Sequence, residues 1–169
     1  MMERFDIYDK DRQLTGRTAE RGQALEADEY RLIVHVSLMN SQNQLLIQKR
    51  QPHKPAWPGF WDISVGSGAL AGETSQAAAA REAFEELGLA LELSEVAPCF
   101  RVKFPNGFAD EYIIHQDVDL TRLHLQTAEV QAVKWASYDE VMVMVDQGTF
   151  FPYQEPMLAL NLSIFEEGR

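Results

Sequence analysis

The sequence predicts an α/β fold in which a mixed sheet carries helices on its faces. Two observations support this prediction: apolar segments of strand length stand before, between and after the helical segments, and the clearest helix has well-marked ends. The chain of 169 residues is 46% apolar, which is enough to bury one core, and its composition shows no break. We therefore expect a single domain over residues 1–169.

The N-terminal region predicts two hairpins, because strand-like segments there flank short polar turns. The expected elements are a small hairpin over 3–8 and 14–17, a loop over 20–29, and a second hairpin over 30–39 and 44–49. A loop over 51–59 with three prolines and a short strand over 60–65 follow, and this strand leads into a glycine-rich turn.

The clearest helix covers residues 74–87, where a run of alanines gives high helix propensity. Gly88 stands where a left-handed residue would end it. Apolar residues recur along this helix at three-and-four spacing, so we expect their face to pack on the sheet. These residues are Ala80, Ala83, Phe84 and Leu87. Further strands are expected near 91–102, 111–118 and 130–135, and helices over 138–146 and 155–165.

The composition argues against several classes of partner. A net charge of -11 without a compensating basic run works against binding nucleic acid through its phosphates. No apolar stretch approaches the roughly 20 residues that cross a bilayer, and the start of the chain lacks a secretory apolar region. We therefore expect a cytoplasmic protein without a membrane partner. Cys99 is the only cysteine, which excludes an intrachain disulfide, and we expect a buried, inert thiol.

Four glutamates and one arginine stand at fixed offsets around the predicted helix. Glu82 and Glu86 lie four residues apart, about 6 Å along the axis, and project from the same face beside Glu85. Because like charges repel, such a cluster requires a cation or open solvent, and a solvated glutamate-rich face is the simpler alternative. Mg²⁺ suits these oxygen ligands. Arg81 can pair with Glu85 or reach back to Glu73, and so hold a ligand carboxylate in place.

Residues 66–89 resemble the signature of the Nudix hydrolases, Gx5Ex7REUxEExGU with U aliphatic. The matching positions are Glu73, Arg81, Glu82, Ala83, Glu85, Glu86, Gly88 and Leu89. The one departure is Ser67, which stands between Gly66 and Gly68 at the leading glycine. Outside this Nudix box, the order of elements is similar to that of the branch resembling isopentenyl-diphosphate isomerases. The resemblance implies the Nudix α/β/α sandwich, a mixed curved sheet between helices, here with an N-terminal hairpin and loop over 1–29.

The resemblance also implies roles for individual residues. It implies Mg²⁺ as the cofactor, with Mn²⁺ as a substitute, and four metal-binding groups: the Gly66 carbonyl, Glu82, Glu85 and Glu86. Catalytic or orienting roles carry over to Glu73, Arg81 and Glu85. Glu111 is the candidate for a further ligand or the general base, with an exposed strand carboxylate as the alternative. Glu129 is a weaker candidate.

Contacts to the substrate are predicted for basic residues near the loop before the box. Lys49, Arg50 and Lys54 could meet phosphates there, although basic residues at a strand end are also often solvated. The aromatic residues Trp57, Phe60 and Trp61 either stack on the substrate or pack in the core. His35 lies within an apolar strand, and we expect a satisfied core or edge histidine.

These features predict a Mg²⁺-dependent hydrolase that cleaves the diphosphate bond of a nucleoside diphosphate, free or linked to another group. The expected partner is thus a small-molecule diphosphate. One alternative is a nucleotide-sensing protein that keeps the fold without catalysis. The other is an isomerase, but the isomerases that this chain resembles carry a cysteine and a metal-binding histidine where it has Gly66 and Gly68. The oligomeric state is left open, with a homodimer as one arrangement.

Overall fold

A curved, open, seven-stranded mixed sheet forms the centre of the fold. The structure is a computed structural model that describes residues 2–153. Residue 1 and residues 154–169, which include the helix predicted over 155–165, lie outside the described residues. The predicted α/β class, with its mixed sheet and N-terminal hairpin, is confirmed.

Nine strands and two α-helices make up the described residues. The strands are β1 (Arg4–Tyr8), β2 (Leu14–Glu20), β3 (Arg31–Met39), β4 (Leu45–Arg50), β5 (Trp61–Asp62), β6 (Val65–Gly68), β7 (Phe100–Phe104), β8 (Gly107–His115) and β9 (Val130–Ala136). The helices are α1 (Ser75–Leu87) and α2 (Tyr138–Asp146), and Leu120–Arg122 forms a short 3-10 turn. No helix among residues 2–153 is long and apolar enough to cross a membrane.

Strand β3 organises the large sheet. It runs parallel to β8 along its whole length and antiparallel to β6. Its pairing with β4 is restricted to Met39 and Leu45 beside the connecting turn, so the two strands then diverge. Strand β4 pairs instead with β5 and β9. The divergence divides the sheet into two parts, and the cleft between them becomes the cavity described below.

The N-terminal hairpin of β1 and β2 forms a separate two-stranded sheet that is fixed to the rest of the fold. Tyr8 and Tyr30 exchange backbone hydrogen bonds of 2.8 and 2.9 Å. On the other side, the Ala71 N–H donates to the Arg4 carbonyl at 2.8 Å, and the Gly72 N–H donates to the Asp6 carboxylate at 2.7 Å. These bonds tie β1 to the loop that leads into α1.

The ends of α1 are set by local signals, as the sequence predicts. The Thr74 hydroxyl accepts a hydrogen bond of 3.1 Å from the Ala77 N–H and caps the start of the helix. Gly88 ends it with φ 68°, in the left-handed region. A Cβ atom at Gly88 would lie 2.8 Å from the Cβ of His124, so both the turn and the close approach require glycine.

The buried face of α1 differs from the predicted one. Phe84 is 62% exposed, so the prediction that it packs on the sheet is wrong. Small side chains cover the sheet instead, and Glu82 and Glu86 share their face. The buried apolar residues of the helix are Ala78, Ala79, Ala83 and Leu87. Because alanine allows close approach, the helix brings both glutamates against the sheet.

Several predicted elements are shorter or shifted. The strand predicted over 91–102 begins only at Phe100, since Leu91 and Leu93 are buried from irregular backbone. The strand predicted over 60–65 is divided into β5 and β6 by Ile63 and Ser64. Cys99 is exposed, which overturns the prediction of a buried thiol. Helix α2 has the predicted bounds.

Candidate metal and phosphate site

A cavity of about 440 Å³ opens where β3 and β6 separate from β4 and β9. One wall is acidic, because Glu82, Glu85 and Glu86 of α1 all line it. Glu129, directly before β9, lines it as well. Helix spacing thus presents three box carboxylates to one cavity, as the sequence predicts for the metal ligands.

Arg81 is the centre of an ion-pair cluster at the acidic wall. Its guanidinium contacts both oxygens of Glu73 at 2.6 and 2.9 Å, Glu82 at 2.7 Å and Glu85 at 3.1 Å. Glu73 in turn accepts a 2.8 Å hydrogen bond from the Leu70 N–H. Partial burial acts to raise the pKa of Glu73, but the bonds from Arg81 and Leu70 lower it overall. Both predicted partners of Arg81, Glu85 and Glu73, are therefore engaged, and Glu73 orients Arg81 from outside the cavity lining.

Glu86 is held differently from the other box glutamates. It is 7% exposed, and its carboxylate accepts a 2.8 Å hydrogen bond from the neutral amide of Gln48. Burial raises the pKa of Glu86 to about 8, and the nearby charges of Glu82 and Glu129 act in the same direction. The wall therefore contains more negative charge than its basic partners balance.

This donor set fits a hard divalent cation. The three carboxylates supply oxygen ligands, and a cation would offset both the burial of the Glu86 charge and the smaller repulsion from Glu82 and Glu129. Within residues 2–153, no three histidine, cysteine, aspartate or glutamate side chains already converge on one point. The Nη1 atom of Arg81 contacts both Glu82 and Glu85 and so holds these two carboxylates near each other.

The glycine-rich segment lines the cavity next to the ion-pair cluster, where the Arg81 guanidinium lies 3.4 Å from the Gly68 carbonyl. Gly66, Ser67 and Gly68 belong to β6, where Ser67 lies opposite Val34 of β3. Ser67 is not among the residues with positive φ, so the strand accepts its side chain without strain. The departure from the box signature at this position therefore leaves the segment regular.

On β3, opposite Gly66, His35 forms a buried pair with Glu111 of β8. The His35 Nδ1 lies 2.7 Å from the Glu111 Oε1, and Glu111 is 1% exposed. His35 lines the cavity, whereas Glu111 is absent from its lining. The alternative of an exposed strand carboxylate is therefore wrong. Glu111 contacts His35 from outside the cavity lining, and its role as a further ligand or general base stays a prediction. His35 is a satisfied histidine, as predicted, that also reaches the cavity.

The three predicted phosphate contacts separate into two groups. Arg50 and Lys54 line the cavity, where Arg50 lies 3.5 Å from Asp62 and Lys54 pairs with Glu129. Lys49 is absent from the lining, because alternation along β4 places its side chain on the opposite face from Gln48 and Arg50. The structure thus does not bring Lys49 to the site.

The aromatic residues before the box are outside the cavity lining. Trp57 is 42% exposed and has edge contacts with Phe60 and Phe151, so it belongs to a surface cluster rather than the core. Trp61 lies under the ammonium of Lys134. Neither tryptophan is positioned to stack on a ligand in the cavity.

The sequence reasoning missed one whole wall of the cavity. Arg4, Phe5 and Arg21 of the N-terminal segment line it, together with Arg31 at the start of β3. Gln48, the partner of Glu86, was also missed. These residues are distant from the box along the chain, and alternation with Arg50 in β4 is the only local signal that could have indicated Gln48.

The fold and the acidic cavity define a NUDIX domain. The model of that family matches residues 29–159, and the chain therefore belongs to the Nudix hydrolase family. An uncharacterised Nudix hydrolase of Listeria monocytogenes is 43% identical over 152 residues, which cover 90% of each chain.

Two further similarities indicate how broad the relationship is. The isopentenyl-diphosphate Delta-isomerase of Citrobacter koseri is 33% identical over 110 residues, covering 62% of this chain and 61% of that protein. The crystal structure of DR0079 from Deinococcus radiodurans aligns with a TM-score of 0.77 over 94% of this chain and 97% of the other. At 24% identity, the latter likeness shows the fold alone.

Proposed function

We propose that this protein is a Mg²⁺-dependent hydrolase, with Mn²⁺ as a substitute, that cleaves the diphosphate bond of a nucleoside diphosphate, free or linked to another group. The observation that carries the proposal is the acidic wall, where Glu82, Glu85 and Glu86 line one cavity. A solvated glutamate-rich face would leave all three carboxylates in open water. The Glu85 side chain is 48% exposed, but Glu82 and Glu86 are each only 7% exposed.

The residues at the cavity have three proposed roles: holding the cation, orienting its ligands and binding the substrate phosphates. Glu82, Glu85, Glu86 and the Gly66 carbonyl would hold the cation. When bound, the cation would neutralise charge on the diphosphate oxygens and activate a water for attack on phosphorus. Arg81 fixes the directions of Glu82 and Glu85, and Glu73 fixes Arg81. Arg50 and Lys54 provide positive charge at the cavity for the substrate phosphates.

The position of His35 supports hydrolysis over isomerisation. A Cβ atom at Gly66 would lie 3.3 Å from the His35 ring, which Glu111 holds from the other side. The cysteine that the isomerases carry at this position would press on that buried pair. Gly68 likewise offers no imidazole to a metal.

The substitution Glu86→Gln tests the proposal, because it removes a negative charge from the wall and nearly preserves the shape of the side chain. We expect hydrolysis of nucleoside diphosphates and sugar nucleotides with Mg²⁺ to fall by about a hundredfold or more. Mn²⁺ binding, measured by electron paramagnetic resonance, should weaken in parallel. Glu95→Gln is the matched control, since Glu95 is exposed and outside the cavity lining.

Three outcomes would count against the proposal. Full activity of the Glu86→Gln protein would show that the wall does not carry the reaction. Nucleotide binding without phosphate release from any substrate would identify a sensing protein. Interconversion of isoprenoid diphosphates without phosphate release would identify an isomerase.

A further inference from the structure

The N-terminal hairpin forms a basic wall of the cavity, although residues 1–28 lie outside the segment that the family model matches. Arg4 and Arg21 come from this hairpin, and Arg31 stands beside them at the start of β3. In a chain with 15 basic and 26 acidic residues, three arginines gather on this wall, and the neighbouring carboxylates of Glu3 and Glu20 pair with only two of them. This basic wall is therefore a candidate contact for a negatively charged group.

The basic wall has a fixed position relative to the acidic one. The Arg4 carbonyl accepts a hydrogen bond from Ala71 and the Asp6 carboxylate accepts one from Gly72, both in the loop that leads into α1. Arg31 is part of β3, which pairs with β6. Both walls are thus attached to the same short segment of chain, and the distance between them is set by the fold.

The arginines of the basic wall retain donors for a ligand. Arg21 uses its Nε atom to pair with Glu3 at 2.9 Å, and Arg4 contacts Thr18 and Glu20; both side chains are more than half exposed. Arg31 is exposed, and its guanidinium has no hydrogen bond or ion pair with any residue of the described range 2–153. Since each guanidinium carries five N–H donors, the wall has unused donors and excess positive charge.

The basic wall and the proposed metal-binding carbonyl of Gly66 lie at different positions along β3. Arg31 precedes His35 by four residues in β3, which corresponds to about 13 Å along the strand. His35 lies opposite Gly66, one of the proposed metal-binding groups. A diphosphate bound at Gly66 and a group that contacts Arg31 therefore occupy different stretches of the cavity.

We propose that Arg4, Arg21 and Arg31 form a subsite for a second anionic group, a phosphate or a carboxylate, carried by the part of the substrate beyond the cleaved diphosphate. This inference rests on the proposed function, because it places the diphosphate at the acidic wall. Guanidinium groups bind both kinds of anion through paired N–H donors. The substrate class is then a nucleoside diphosphate linked to a group that carries its own negative charge.

Two pairs of compounds that differ by one anionic group test the subsite. UDP-glucuronate and UDP-glucose differ by a carboxylate, and NADP and NAD differ by a phosphate. With a chelator present to prevent turnover, we expect the protein to bind the anionic member of at least one pair about tenfold more tightly in calorimetry. The pair that shows the preference identifies the anion.

The variants Arg31→Gln and Arg21→Gln should reduce this ratio of affinities towards one. Arg17→Gln is the matched control: Arg17 lies on the same hairpin and is also exposed, but it pairs with Glu29 and does not line the cavity. It should keep the ratio of the unmodified protein. Circular dichroism of each variant verifies that the fold is intact.

The outcomes separate this inference from the proposed function. Equal affinities within both pairs, or a preference that Arg31→Gln leaves intact, would overturn the subsite. Equal hydrolysis of neutral and anionic members with Mg²⁺, without any binding preference, would retain the hydrolase and overturn the subsite. A binding preference with no phosphate release from any compound would retain the subsite and overturn the hydrolase.

Discussion

Asp110 and Glu86 are both buried carboxylates, but their charges are balanced in different ways. Asp110 is fully buried, and Arg12 contacts its two oxygens at 2.7 and 2.5 Å. Arg101 adds a third contact at 3.3 Å. Glu86 has a neutral partner, Gln48, and faces other carboxylates. Burial by itself therefore does not distinguish the two carboxylates; the charge of the partner does, and a buried carboxylate at a cavity with only a neutral partner is the better candidate for binding a cation.

The largest change in stability is expected when the pair of Arg12 and Asp110 is broken. Arg12→Gln should lower the free energy of unfolding by about 3 kcal/mol, because Asp110 would stay buried without its main partner. Urea unfolding measures this change. Arg101→Gln is the control and should cost less than about 1 kcal/mol, since Arg101 is 60% exposed. Equal costs for the two variants would mean that Asp110 is not balanced mainly by Arg12.

Glu86→Gln should have the opposite effect on stability: in the metal-free protein, it should raise the free energy of unfolding. The pKa of Glu86 rises from 4.5 to about 8 on folding, so the folded state resists losing this proton. The wild-type protein is therefore penalised increasingly as the pH rises from 4.5 through 8, whereas Glu86→Gln is not. In a chelator, this variant should be nearly as stable as wild type near pH 4.5 and progressively more stable than it as the pH rises to 8. A difference that does not grow with pH would contradict this.

The acidic wall is itself partly balanced, because Arg81 pairs with Glu82 and Glu85 but not with Glu86. Arg81→Lys keeps the positive charge but cannot reproduce the several paired contacts of the guanidinium. We expect Mn²⁺ to bind about tenfold more weakly, since the directions of Glu82 and Glu85 are lost. Electron paramagnetic resonance measures the affinity. An unchanged affinity would show that Arg81 serves only the stability of the fold.

The smallest expected effect is on kcat/KM, and it should distinguish two neighbouring residues of β4. Arg50 lines the cavity, whereas Lys49 lies on the other face of the strand. Arg50→Gln should lower kcat/KM for a nucleoside diphosphate by about fivefold, through a higher KM. Lys49→Gln should have a smaller effect. The reverse order in steady-state kinetics would restore Lys49 as the phosphate contact that its sequence position suggests.

The features that the sequence predicts well are those set by neighbouring residues. Thr74 and Gly88 fix the ends of α1 through bonds within a few residues, and the spacing of Glu82 and Glu86 follows from helix geometry. The pairing of Arg81 with Glu73 and Glu85 depends on the same short segment. Local chemistry was enough to locate the acidic wall.

The features that the sequence did not predict depend on distant parts of the chain. Phe84 has the apolar spacing of a packed residue, but the sheet is covered by the smaller alanines. Leu91 and Leu93 alternate like a strand without a partner strand beside them. The basic wall joins Arg4, Arg21 and Arg31 to the box only through the tertiary fold. No short window of sequence contains that arrangement.

The two hydrogen bonds from Ala71 and Gly72 to β1 have a consequence for substitutions in the hairpin. Since Ala71 donates to a backbone carbonyl, that attachment does not depend on which side chain stands at residue 4. The hairpin arginines can thus be replaced while the Ala71 bond, together with the contact of Gly72 to the Asp6 carboxylate, keeps the loop before α1 attached. Replacing the hairpin arginines would therefore alter the proposed subsite and leave the acidic wall in place.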